Sequence, residues 1–68
     1  MPNGYLIMPL IQVDMFEGRS DEQVKIFMEA LTATTCRVLG CNAKDVSIIC
    51  RELPPSRWAT GGVAWDKA

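Results

Sequence analysis

The stretch Ser20-Asp21-Glu22-Gln23 constrains this chain more than any other four residues, because it fixes where a helix begins. A serine at the cap position and a glutamine three residues on can each accept the other's free backbone N–H. Asp21 and Glu22 then lie at the positive end of the helix dipole. Apolar residues follow at Val24, Phe27, Met28, Leu31, Val38 and Leu39, with Thr35 continuing the line, which is the spacing of one helical face. Gly40 suits the position just past the helix end. One helix therefore divides the chain, and what flanks it decides the fold.

Before the helix, Leu10 to Phe16 reads as a strand in which Gln12 and Asp14 share one face and Ile11, Val13 and Met15 the other. Gly18 permits the turn into the helix. After it, Asp45 to Glu52 is rich in β-branched residues and nearly continuous in its apolar centre, as expected of a strand covered on both faces. The helix is about as long as a crossover requires, so the two strands are expected to pair in parallel through a right-handed connection. Pro54-Pro55 ends the second strand. Trp58 to Trp65 reads as a short hairpin turning at Gly61-Gly62. The expected class is α+β: a βαβ unit with parallel strands and a carboxy-terminal β-hairpin, with no internal repeat and no linker.

Such a unit has little interior. The chain has 68 residues, 49% of them hydrophobic, and domains of this length bury only roughly 60% of their unfolded surface. Apolar surface left over marks contact with other chains, so a homo-oligomer is expected. The net charge is −1 with the basic residues scattered, which argues against a nucleic-acid partner. Tyr5 to Val13 is too short to cross a membrane, and no basic segment precedes it as in a secretory signal. Cys36, Cys41 and Cys50 are odd in number and lack metal-ligand spacing, so reduced thiols in a cytoplasmic protein are expected, with no metal. The absence of histidine removes the commonest general base.

Few residues are left to carry chemistry. Arg19 stands beside a glycine just before the capped helix, where a guanidinium can grip a carboxylate, although a solvated arginine is the plainer reading. Trp58 can line an apolar pocket or close an oligomer interface. Arg51 and Arg57 flank the Pro-Pro loop, and Glu52 at the strand end lacks a carboxylate partner for paired acid–base work. Two Met-Pro pairs, Met1-Pro2 and Met8-Pro9, each offer a proline that loss of an initiator methionine exposes as a free secondary amine.

Pro9 through Gln23, PLIQVDMFEGRSDEQ, resembles the amino terminus of the 4-oxalocrotonate tautomerase family. There a proline follows the initiator methionine, an alternating strand comes next, and Glu-Gly-Arg-Ser-x-Glu-Gln opens the helix. WATGG, Trp58 to Gly62, is similar to the family's aromatic-Gly-x-Gly-Gly hairpin. The resemblance spans Pro9 to Ala68 without gaps, which makes residues 1–8 an amino-terminal extension and residues 9–68 a single tautomerase-like domain.

The resemblance implies a tautomerase-like hexamer that moves a proton in α-keto acids and their enols without metal or cofactor. It implies Pro9 as general base, Arg19 as anchor for the carboxylate of a small acid substrate, and Trp58 as the aromatic of an apolar pocket. A free α-amino group titrates at roughly 7.7–8.0, and burial among arginines lowers that further. Two departures follow from the residues. Pro9 is preceded by Met1 to Met8, and inside a chain its nitrogen is an amide with no basic lone pair. Ser47 also stands where the family has a second arginine. Arg51 lies two alternations further along the same strand face, a candidate substitute in substrate binding beside Ser47 itself. Thr60 lacks the carboxylate of the family's dehalogenase branch, which implies tautomerisation over dehalogenation. Two other readings stay open: a non-catalytic or partner-requiring subunit that works with a homologous second chain, and decarboxylation or hydration of a short acid on the same scaffold.

Overall fold

A computed structural model describes residues 8–67, so the expectations placed on Met1 to Ile7, the Met1-Pro2 pair among them, and on Ala68 lie outside the described residues. The elements run β1 (Leu10–Phe16), α1 (Asp21–Leu39), β2 (Ser47–Leu53), β3 (Ala59–Thr60) and β4 (Val63–Ala64), with 3₁₀ turns at Ala43–Asp45, Pro55–Arg57 and Trp65–Lys67. β1 and β2 pair in parallel, Leu10 opposite Ser47 through to Phe16 opposite Leu53. β3 and β4 form the antiparallel hairpin, Ala59 opposite Ala64. Gly61 and Gly62 have φ of 62° and 82°, and a type I′ turn needs both central residues at positive φ.

The capping box forms as its sequence requires. Ser20 Oγ accepts from Gln23 N at 3.1 Å, and Gln23 Oε1 accepts from Ser20 N at 3.0 Å. Gly40 closes the other end in the left-handed conformation, donating its N–H to Cys36 O at 2.9 Å. Within the helix, Thr32 and Thr35 donate their hydroxyls to Met28 O and Leu31 O at 2.9 and 2.7 Å. Their polar atoms are thereby satisfied, and both residues can sit half-buried.

Three expectations are corrected. The second strand begins at Ser47 rather than Asp45, because the chain first winds through a 3₁₀ turn. Asp45 N donates to Asn42 O at 3.0 Å and Val46 N to Ala43 O at 3.1 Å, so the first amide of this segment bonded to β1's side is that of Ser47, on Pro9 O at 3.0 Å. Val38 and Leu39 are not part of the covered helical face; each is 64% exposed. The series Val24, Leu31, Val38 drifts by about 20° per seven residues, away from the line of Met28, Thr32 and Thr35 that stays half-buried.

Ile11, Val13 and Met15 of β1 and Ile48, Cys50 and Glu52 of β2 are half-buried, while the alternate residues are exposed until Phe16 and Leu53, which are half-buried at the strand ends. The expected cover on both faces of β2 is absent within one chain: Ile49 is 44% exposed, as Leu10 on β1 is 46% exposed. No described hydrophobic side chain is fully buried. Among the described residues, both strands of the β1–β2 sheet are thus edges, one of its faces is open, and no closed core forms.

Candidate active site

The chain leaves β1 through Glu17-Gly18-Arg19. Glu17 N still bonds Leu53 O at 3.0 Å, and the chain then bends at Gly18, whose φ of 129° falls where side chains are rarely accommodated. That bend presents Arg19 immediately before the helix cap. The backbone N–H of Arg19 lies 3.4 Å from Glu52 Oε2, and its Nη1 donates to Phe16 O at 2.9 Å. Glu52 therefore helps hold the loop. The guanidinium makes no ion pair among the described residues, so most of its donor fork is available to an incoming carboxylate.

An aromatic cluster stands at the same end of β1. Phe16 packs against Trp58 with centroids 4.5 Å apart and against Trp65 at 5.3 Å, both tilted by about 55°. The second tryptophan is locked in place twice: Trp65 N donates to Trp58 O at 2.8 Å, and Trp65 Nε1 donates to Thr60 Oγ1 at 3.0 Å. Half-buried Trp58 thus packs on the ring of Phe16, the residue whose backbone carbonyl Arg19 holds.

Pro9 and Ser47 lie at the other end of the sheet. Pro9 is half-buried, its carbonyl held by Ser47 N, and the exposed Ser47 side chain starts the neighbouring strand. The seven residues of β1 separate this end from Arg19, a span of about 23 Å at roughly 3.3 Å per residue. Arg51 lies between the two ends, engaged by Asp14 across the strands: Nε to Oδ1 at 2.9 Å and Nη2 to Oδ2 at 3.3 Å. The pair is solvated, with side chains 57% and 45% exposed.

One chain therefore places Arg19 and the Phe16–Trp58 pair at one end of β1 and Pro9 and Ser47 at the other, and it holds Arg51 between them in a pair with Asp14. Sequence reading passes over Phe16, Trp65 and Asp14 as site neighbours. Their roles depend on strand register and on where the hairpin folds back, and the only local sign is an aromatic residue at the end of each segment. The cysteines lie elsewhere. Desolvation pushes the Cys36 thiol above its ordinary value, with the neighbouring Cys41 and then Asp45 adding to it.

Residues 9–67 match the family model described as tautomerase enzyme. A probable tautomerase from Staphylococcus epidermidis is 36% identical over 56 residues, covering 82% of this chain and 92% of that protein. Among solved structures, a 4-oxalocrotonate tautomerase homologue of the tomaymycin biosynthetic pathway aligns with a TM-score of 0.81 and 42% identity, covering 87% of this chain and 91% of the other. A heterohexameric 4-oxalocrotonate tautomerase from Chloroflexus aurantiacus aligns with a TM-score of 0.80 and 33% identity, over 88% of this chain and 97% of the other.

Proposed function

The chain belongs to the tautomerase family, and from that premise we propose that it is a cofactor-independent isomerase shifting a proton in an enol or unsaturated α-keto acid. Pro9 acts as general base in the form of the protein whose chain begins there. The observation that carries this reading is the placement of an unpaired guanidinium and an aromatic wall at one end of β1 and of the proline at the other.

Two copies joined antiparallel through an edge strand lay the head of one β1 against the tail of the other. Pro9 of one chain then faces Arg19 and Trp58 of its neighbour. Arg19 takes the substrate carboxylate. The neutral proline nitrogen accepts the enol hydroxyl proton and returns a proton to the adjacent carbon, so the C=C bond becomes single and the C–O bond becomes a carbonyl. Desolvation and nearby positive charge both favour the neutral amine, and the same charge stabilises the dienolate. Ser47, whose amide bonds Pro9 O, offers a hydroxyl where the resemblance implies a guanidinium.

The test compares three proteins by rate and by mass of the first residue: the chain beginning at Met1, the chain beginning at Pro9, and the latter with Pro9→Ala. With 2-hydroxymuconate as substrate, the Pro9-first form is expected to exceed the Met1 form by orders of magnitude, and Pro9→Ala to lose most of that gain. Equal rates for the first two remove Pro9 from the role.

A second reading is favoured by the engagement of Arg51 with Asp14 about 13 Å along the strand from Ser47. That leaves no second arginine beside Pro9, and one relative of this fold is a heterohexamer. In this reading a homologous chain supplies the missing cation, and activity appears only on mixing the two.

A further inference from the structure

We propose that Cys36 and Cys41 form a redox-responsive dithiol, which a low-molecular-weight disulfide converts to an intrachain disulfide clamping the end of α1 to the loop that feeds β2. The site uses none of the residues assigned to proton transfer.

The pairing follows from how α1 stops. Gly40 adopts the left-handed conformation, φ 73° and ψ 33°, and its N–H closes on Cys36 O at 2.9 Å. In a helix end of this kind the residue after the glycine commonly folds back onto the residue four before it. Here those residues are Cys41 and Cys36. Cys41 Sγ lies 3.9 Å from Thr35 O, against the last turn, and both thiols are half-buried. Desolvation raises the pKa of Cys36, and the next effects come from Cys41, through its charge and a side-chain hydrogen bond, with the charge of Asp45 adding to them. Two thiols that act on each other so directly are neighbours in space. Cys50 is set apart: it stands opposite Val13 in β2, about 10 Å along the strand from Ser47, and does not act on Cys36.

The surroundings of the pair favour neutral sulfur. Desolvation and the Asp45 carboxylate both disfavour the Cys36 thiolate, whereas a disulfide carries no charge and escapes both. A thiol that holds its proton to higher pH is also a slower leaving group, so the bond, once formed, resists reduction through Cys36.

The chemistry is thiol–disulfide exchange. The Cys41 thiolate attacks one sulfur of a small disulfide RS–SR and expels RS⁻, leaving a mixed disulfide. That step removes the Cys41 charge from beside Cys36. Cys36 then gives its proton to solvent and attacks the Cys41 sulfur, expelling the second RS⁻. Two electrons pass from the protein to the small disulfide, and two RSH result. The new bond ties the helix end to the segment whose 3₁₀ turn delivers Ser47 N to Pro9 O.

The full chain is equilibrated with reduced and oxidised glutathione over a range of ratios, quenched with acid and mapped after trypsin digestion. The intact mass is expected to fall by two hydrogens. Cleavage at Arg37 parts the peptides of Cys36 and Cys41, so the bond should appear as that pair of peptides held together, with Cys50 still open to alkylation. The oxidation constant should be at least about tenfold larger for the folded chain than for the urea-unfolded one, because the helix end holds the two sulfurs at high effective concentration. By the same cycle the disulfide raises the unfolding midpoint. Cys36→Ser should stop at a glutathione adduct on Cys41, and Cys50→Ser should oxidise as the parent does. The mapping uses the unaltered chain, so it decides even where a serine variant fails to fold. A bond that includes Cys50 or joins two chains, an oxidation constant no larger in the folded chain than in the unfolded one, or loss of two hydrogens from Cys36→Ser overturns the dithiol.

Discussion

Arg19 owes its candidacy to what it lacks. Arg51 carries the same charge, but Asp14 holds it in a bidentate pair, whereas Arg19 gives one donor to Phe16 O and keeps the rest. In the Pro9-first protein, Arg19→Ala is expected to raise KM for a dicarboxylate enol with a smaller change in kcat. The loss corresponds to one charge-assisted bond, about 1.5–3 kcal/mol. Unchanged kinetics with every acid tested would return Arg19 to the solvated surface. Cys36 supports a second expectation. Its thiol is pushed up by desolvation and by Cys41, so the protonated form persists to higher pH in the folded protein. Stability from this source is complete below the unfolded-state pKa and is lost as pH rises through the folded one. Alkylation followed by peptide mapping should show Cys36 reaching half its maximal rate at a higher pH than free cysteine. Half-maximal reaction at or below that pH contradicts the assignment.

At the scale of elements, the ring of Phe16 ties the hairpin region to the sheet. Phe16, at the last position of β1, touches both tryptophans, and the chain has only those two. Phe16→Ala should therefore move the emission of the whole protein to longer wavelength and destabilise it by more than about 1 kcal/mol. Emission at an unaltered wavelength would mean that the hairpin is held by something else. This contact also marks where sequence reading stops. The helix is legible because Ser20, Gln23 and Gly40 announce their roles locally, and β1 because its alternation is unbroken from Leu10 to Phe16. The late start of β2 is not, because Asp45 and Val46 have strand-like neighbours yet spend their amides on Asn42 and Ala43. Pro9 and Arg19 are legible as candidates through resemblance. Their separation is a consequence of topology, and so are the ring contacts and the Asp14–Arg51 pair, all of which need the parallel register that no local pattern states.

The molecule as a whole is unfinished as one chain. No described hydrophobic residue is fully buried, Leu10 and Ile49 lie uncovered on the open sheet face, and Ile26, Val38 and Leu39 stand out from the helix. Both β1 and β2 are edge strands with unpaired backbone groups. Burial of such side chains stabilises by roughly 1.5–3 kcal/mol each, a gain a chain of this size cannot forgo, since small domains retain little margin after conformational entropy is met. Association is therefore expected to complete the fold and, in the reading above, the site as well, because that reading brings Pro9 and Arg19 together between chains. Sedimentation at micromolar concentration should give a species several times the 7.5 kDa chain mass, with six chains expected from the resemblance. Ile49→Lys places a charge on the open sheet face without touching Pro9, Arg19 or Trp58. It should shift the distribution to smaller species, make the unfolding midpoint depend on protein concentration, and reduce turnover in step with the loss of assembly. A folded monomer that keeps full activity would defeat both the shared site and the argument that the open face is an interface.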